Sequence, residues 1–188
     1  MAKEAALRIL VAVASKHGST QEIAEAIATR LRETGHVAEL ASVTTVADVS
    51  GYDAFVVGGA SYIGRWLPEA TEFVRRNAGV LAARPTWLFS SGPLAPELPD
   101  GERGAQLIAA EPKEIAELAE LVHARGHRVF FGSLDPAKLG LRDRAIRALP
   151  AGRSLLSEGD FRNLDDLEAW ADRIARELTW EPETPPAE

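Results

Sequence analysis

The chain has 188 residues, 46% of them hydrophobic, a formal net charge of -7 and no cysteine. That length suits one domain with its own apolar core, the acidic balance disfavours nucleic acid or an anionic membrane surface as a partner, and the missing thiols exclude disulfides, thiolate metal sites, iron–sulfur clusters and cysteine nucleophiles. The four histidines are scattered without metal-ligand spacing, so no metal is expected. The apolar run at 7–13 is too short to span a bilayer and has no signal-peptide cleavage pattern. The expectation is a cytoplasmic protein with no integral membrane segment.

In chain order, residues 7–14 (LRILVAVA) are short, apolar and rich in β-branched side chains, the pattern of a buried parallel strand. Residues 20–33 follow with Ile23, Ala24, Ile27 and Leu31 at helical spacing, and Gly35 stops that helix. Strands are predicted at 37–43 and at 54–58, the latter ending in Gly58-Gly59. Residues 68–77 read as a helix with Pro68 in its first turn and Phe73 and Val74 inward. A fourth strand is placed at 86–90, a helix at 113–124 closed by Gly126, a fifth strand at 128–132, and a last helix at 163–178 capped by Asn163. Strands alternating with helices imply right-handed βαβ units. The expected architecture is α/β, a doubly wound five-stranded parallel sheet of order 2-1-3-4-5 with helices on both faces and a ligand crevice at the strands' carboxyl ends. Residues 1–180 read as one domain and the Pro- and Glu-rich 181–188 as a disordered tail. Two segments exceed ordinary connections: 94–111, rich in Pro and Gly, and 134–158, which holds a short amphipathic stretch at 141–149.

Four loops share that sheet edge. The first, Ser15, Lys16, His17, Gly18, Ser19 and Thr20, brings hydroxyls and a glycine to a helix N-terminus, where backbone N–H groups and the helix dipole favour an anion such as phosphate. A plain helix cap by Ser19 or Thr20 is the competing reading. The loop is neither a Walker loop nor a dinucleotide GxGxxG. After the third strand come Ser61, Tyr62, Ile63, Gly64, Arg65 and Trp66, whose aromatics suit the faces of a flat ring or simply cover the sheet edge. After the fourth come Ser90, Ser91, Gly92, Pro93 and Leu94, and after the fifth Gly132 and Ser133, small polar residues that admit a ligand to the backbone. Each alone is weak; their common address carries the signal.

The run VAVASKHGSTQEIAEAIATRL resembles the flavodoxin phosphate loop, with Ser15, Gly18 and Thr20 at its patterned positions and His17 where a threonine is common. The segments VVGGASYIGRWLPEATEFVRRNA and GDFRNLDDLEAWADRIA, and the long stretch after the fifth strand, resemble the menaquinone-dependent protoporphyrinogen dehydrogenases, a branch of the flavodoxin-like fold. The resemblance implies FMN bound by the four loops and an oxidoreductase acting on a small redox substrate. A quinone and a porphyrinogen are the candidate partners, and a homodimer is compatible. Here the stretch after the fifth strand is poor in aromatics and carries Arg142, Arg144, Arg147 and Arg153, which suit an acidic substrate or a solvated face.

Other classes weigh less. A phospho-acceptor receiver needs paired carboxylates after the first strand, where Ser15 and Lys16 stand, and an aspartate where Gly58 and Gly59 stand. A serine hydrolase would have to draw on Ser15, His123 or His127, and Asp135, without an elbow motif. His36 and His123 read as solvated. No catalytic side chain is assigned. The alternative to an enzyme is a flavodoxin-type electron carrier or an FMN-binding module without turnover.

Overall fold

Strand β1 (Arg8–Ala14) is buried on both faces after Arg8, as the central strand of a sheet covered on two sides must be. Its side chains alternate between two cores. Ile9, Val11 and Val13 face helices α1 (Ser19–Glu33) and α6 (Leu164–Thr179), meeting Ile23, Ile27, Leu31, Trp170 and Ile174. Leu10 and Ala12 face the opposite layer, where α2 (Pro68–Arg76) and α4 (Ile115–Leu121) supply Phe73, Val74, Ile115 and Leu118; the short α3 (Ala78–Ala82) adds Leu81. The computed structural model from which these contacts are taken describes residues 6–62, 64–92, 111–149 and 158–179.

The parallel strands β2 (Val37–Ser42), β1, β3 (Ala54–Tyr62), β5 (Thr86–Ser91) and β6 (Gly126–Phe130) lie in the order β2-β1-β3-β5-β6, with the two-residue β4 (Arg65–Trp66) antiparallel to the end of β3. Without that hairpin strand the order is the expected 2-1-3-4-5. Register brings Ala14 beside Gly59, Ala60 beside Ser91 and Ser91 beside Phe130, so the strand ends form one edge. Close packing fixes Gly58: a Cβ there would lie 2.0 Å from the Phe89 ring.

Several boundaries differ from expectation. The third strand does not stop at Gly58 but runs to Tyr62 and turns back through Gly64 into β4, so a segment expected as a loop is a hairpin. Gly126 opens β6 instead of closing a helix; the left-handed residue after α4 is His123, at φ 51. At the end of α1 the Gly35 expectation holds. It sits at φ 96, and the amides of Gly35 and His36 donate to the carbonyls of Arg32 and Leu31, a Schellman closure. That closure turns His36 inward, so it is buried where a solvated side chain was expected. Asn163 accepts the Asp166 amide through its side chain at 3.3 Å, as a cap does.

The long stretch after β6 has internal structure. Strands β7 (Ser133–Leu134) and β8 (Gly159–Asp160) pair antiparallel at its base. Between them lie a 3-10 turn (Pro136–Lys138) and helix α5 (Leu141–Ala148), close to the amphipathic stretch read at 141–149. The expected tail and the Pro- and Gly-rich connection at 94–110 lie outside the described residues.

Candidate functional site

The phosphate-type loop begins where β1 ends. Gly18 is the N-cap of α1 in a left-handed conformation, φ 92, with no side-chain cap on the helix. Ser15 Oγ accepts the Gly18 amide at 3.2 Å and closes the turn. The plain capping reading therefore fails: Ser19 turns its hydroxyl across the sheet edge and accepts the Ser133 amide at 2.7 Å, and Thr20 is buried. An uncapped helix start with a left-handed glycine before it leaves amides pointing outward, the geometry that suits an anion.

The other loop residues come to the same edge. A Cβ on Gly132 would lie 3.2 Å from Ser19 Oγ and 3.4 Å from Ser91 Oγ, so the first, third and fourth loops are in near contact. Gly92, at φ 110, donates its amide to the Phe130 carbonyl at 3.0 Å, and a Cβ there would approach the Ser61 carbonyl to 3.3 Å. Ser15, Gly18, Ser19, Ser61, Ser91, Gly92, Gly132 and Ser133 thus converge through backbone and small side chains. Arg65 is exposed on the hairpin. Ile63, Pro93 and Leu94 lie outside the described residues, as does the side chain of Tyr62.

Trp66 and Ser90 are a correction. Both stand among the expected ligand contacts, with covering of the sheet edge as the alternative for Trp66, yet Trp66 is 3% exposed within the core layer of α2 and α4, and Ser90 is fully buried. The cause is the extended β3: the added strand residues and the turn at Gly64 fold Trp66 back over Gly59 and Ala70. Its indole N–H donates to Ser90 Oγ at 2.7 Å. The chain of hydrogen bonds continues from Ser90 Oγ to His127 Nε2 at 2.8 Å and from His127 Nδ1 to Glu111 Oε1 at 2.9 Å. Because a carboxylate only accepts, Nδ1 carries the proton of the neutral imidazole, Nε2 accepts, and the Ser90 hydroxyl donates to it. Burial pushes the His127 imidazole below its ordinary value, and the Glu111 carboxylate opposes that shift in part. The geometry is that of a Ser–His–Glu relay, but a serine with no exposed surface offers no nucleophile to a substrate. The hydrolase set drawn from sequence is not assembled either: Ser15 holds the Gly18 turn and Asp135 caps the 3-10 turn through the Ala137 amide.

Two further groups at this edge had no sequence signal of their own. Glu114 accepts the Trp66 backbone amide at 2.9 Å and pins the hairpin. Asp143 of α5 reaches the first loop, 2.9 Å from Lys16 Nζ and 3.1 Å from His17 Nε2. Arg144, which suits an acidic substrate or a solvated face, is exposed and donates to the Ala137 carbonyl at 2.9 Å. The side chains of Arg142 and Arg147, and all of Arg153, lie outside the described residues. Among the described residues no cluster of His, Asp and Glu has the arrangement of a metal site, and no helix is long and apolar enough to cross a membrane.

Comparison with known proteins agrees with this layout. Protoporphyrinogen IX dehydrogenase [quinone] of Escherichia coli (strain K12) is 29% identical over 86 residues, 45% of this chain and 48% of that protein, so the match spans about half the length of the curated relative. Flavodoxin 2 from Bacillus cereus superposes with a TM-score of 0.59 at 18% identity, covering 90% of this chain and 99% of that one. The rubredoxin oxygen:oxidoreductase of Desulfovibrio gigas does so with a TM-score of 0.60 at 16% identity, covering 91% of this chain and 36% of that one. At such identities the two structures establish the fold. The model of the flavodoxin domain matches residues 10–150, and domains of that family bind FMN and serve redox chemistry. With the carboxyl end of β1, the uncapped glycine turn and the convergent strand ends inside the matched span, the chain belongs to the flavodoxin domain family.

Proposed function

We propose that this chain binds FMN at the edge formed by Ser15–Thr20, Ser61–Trp66, Ser90–Leu94 and Gly132–Ser133, and uses it to oxidise a small organic donor with a quinone as acceptor. The observation that carries the site is the convergence of four strand ends through the Ser19–Ser133 hydrogen bond and the Gly132–Ser91 and Gly92–Ser61 approaches. The residues fit the cofactor. No side chain caps the α1 amides, which suits a phosphate, and glycines at 18, 92 and 132 keep Cβ atoms out of the cradle. Ser19 and Ser133 are part-exposed at its wall, and the buried Ser91 lies behind Gly132. Bound FMN supplies the two-electron redox chemistry. The protein's part is to hold and orient it: Gly18 sets the turn, Ser15 closes it, and the Trp66–Ser90–His127 bonds fix the hairpin on which Arg65 is exposed. Trp66 and Ser90 support the site from beneath rather than lining it.

The reading of donor and acceptor is supported by the resemblance to the quinone-linked dehydrogenases and by the excursion after β6, whose base lies against the first loop. A porphyrinogen carries carboxylates, and cations around a cleft raise the local concentration of such a substrate. The domain is read as residues 1–180, working as a cytoplasmic protein, alone or as a homodimer. Anaerobic mixing of the reconstituted protein with a protoporphyrinogen-type donor and a menaquinone analogue tests the assignment. Quinone-dependent turnover is expected. Fast single-electron exchange with a redox partner protein, without turnover, would make it a carrier.

A further inference from the structure

Helix α5 meets the first loop through a charge. Among its described side chains Asp143 is the buried one, 6% exposed, while Leu141 in the same turn is 85% exposed. A surface helix ordinarily buries its apolar stripe and leaves its carboxylates in water; here the described side chains do the reverse. The Asp143 carboxylate lies 2.9 Å from Lys16 Nζ and 3.1 Å from His17 Nε2, the two basic side chains of the loop read as the phosphate site. Carboxylate and phosphate oxygens seek the same charge-assisted donors, and two anions at one small, partly dry site repel. The base of the excursion is held independently, by β7–β8 pairing and by Glu22, which accepts from Lys138 at 3.0 Å and from Arg162 at 2.5 Å. Release of α5 therefore leaves its two ends anchored.

We propose that Asp143 is a built-in anion that holds the loop's basic side chains until a phosphomonoester arrives, so that α5 is a latch displaced by the incoming phosphate. The proposal rests on reading Ser15–Thr20 as the FMN phosphate site. It assigns Asp143 a gating role, not a part in redox chemistry.

The full-length protein and Asp143→Asn are titrated calorimetrically with FMN and, separately, with inorganic phosphate, and amide exchange across residues 141–148 of the parent is followed with and without each. Removing the carboxylate is expected to tighten both anions by about tenfold or more, the scale of one unit charge at this separation in a partly screened site. The parent's α5 amides are expected to exchange faster when either anion binds. Both signs are required. Equal or weaker binding by the variant, or slower or unchanged α5 exchange in the parent, overturns the latch. Asp143→Ala serves if the asparagine variant does not fold, and the exchange arm needs no variant. Phosphate binding with these signs but no FMN binding upholds the latch and removes the flavin reading. Failure to bind either anion removes both.

Discussion

Ser90 shows how one buried hydroxyl organises a loop that the ligand would touch elsewhere. It accepts from the Trp66 indole and donates to His127, so Ser90→Ala leaves an indole N–H buried without an acceptor. A loss of about 1–3 kcal/mol in unfolding free energy is expected, measured by urea denaturation; a change within about 0.5 kcal/mol would show the network to be idle. His127 adds a pH dependence. Its folded imidazole is held below the ordinary value by burial, so as pH falls the unfolded chain takes up the proton first. The stability it contributes is complete above about pH 6.5 and is lost as pH falls from there through the lowered folded value. His127→Gln should flatten that limb of the stability profile, and an unchanged slope would assign it to other groups. Gly18 presents the opposite case. Its Cβ position is open, so the Cβ of Gly18→Val meets no neighbour, and the positive φ costs about 1–2 kcal/mol. The side chain would point where phosphate is read to bind, so FMN affinity should fall by more than stability does, by calorimetry against urea denaturation. These residues differ in legibility. Gly18 announced itself through a local pattern, whereas the Trp66–Ser90–His127 chain joins three segments and depends on where β3 ends.

Among elements, the excursion after β6 is tied down by ion pairs as well as by the buried side chains of Leu134 and Leu139. Arg162 bonds both Asp160 and Glu22, and Lys138 bonds Glu22; hydrogen bonds from Lys138 to Glu22 and from Arg162 to Asp160 are the main cause that holds each of those carboxyls below its usual range. Stability from these pairs is present above the ordinary carboxylate range and is lost as pH falls through the lowered values. Arg162→Ala should speed amide exchange across 133–149 several-fold while leaving β1, β3 and β5 protected. Equal loss of protection in the sheet would mean the excursion is integral to the core. The main strands and α1 were legible because burial on both faces leaves uninterrupted apolar runs and one-sided burial leaves a helical period. The β3–β4 hairpin was not, because its turn lies after a Gly-Gly pair that mimics a strand end. The two-residue strands β7 and β8 are too short to leave a periodicity, and they pair residues far apart in the chain. Helix α5 was visible as an amphipathic stretch, but its buried side chain is Asp143, which no apolar pattern marks.

For the whole molecule, the fold brings the first loop and the excursion together, and the proposed quinone-linked role depends on what the excursion covers. Deleting residues 138–151, Asp143 among them, and joining the ends with a short glycine linker should retain FMN binding, tightened by loss of that carboxylate, and lower turnover of a porphyrinogen-type donor. Parent-rate turnover by the deletion variant would take the excursion out of the active site. All of this rests on the flavin being held at the convergent strand ends. The most direct measurement reconstitutes the purified chain with an equimolar mixture of FMN and FAD, removes free flavin, and identifies the released chromophore by mass spectrometry alongside the absorbance spectrum. One FMN per chain, with a perturbed flavin spectrum, is the result predicted from a single phosphate-sized loop; recovery of FAD, or of no flavin at all, would contradict it.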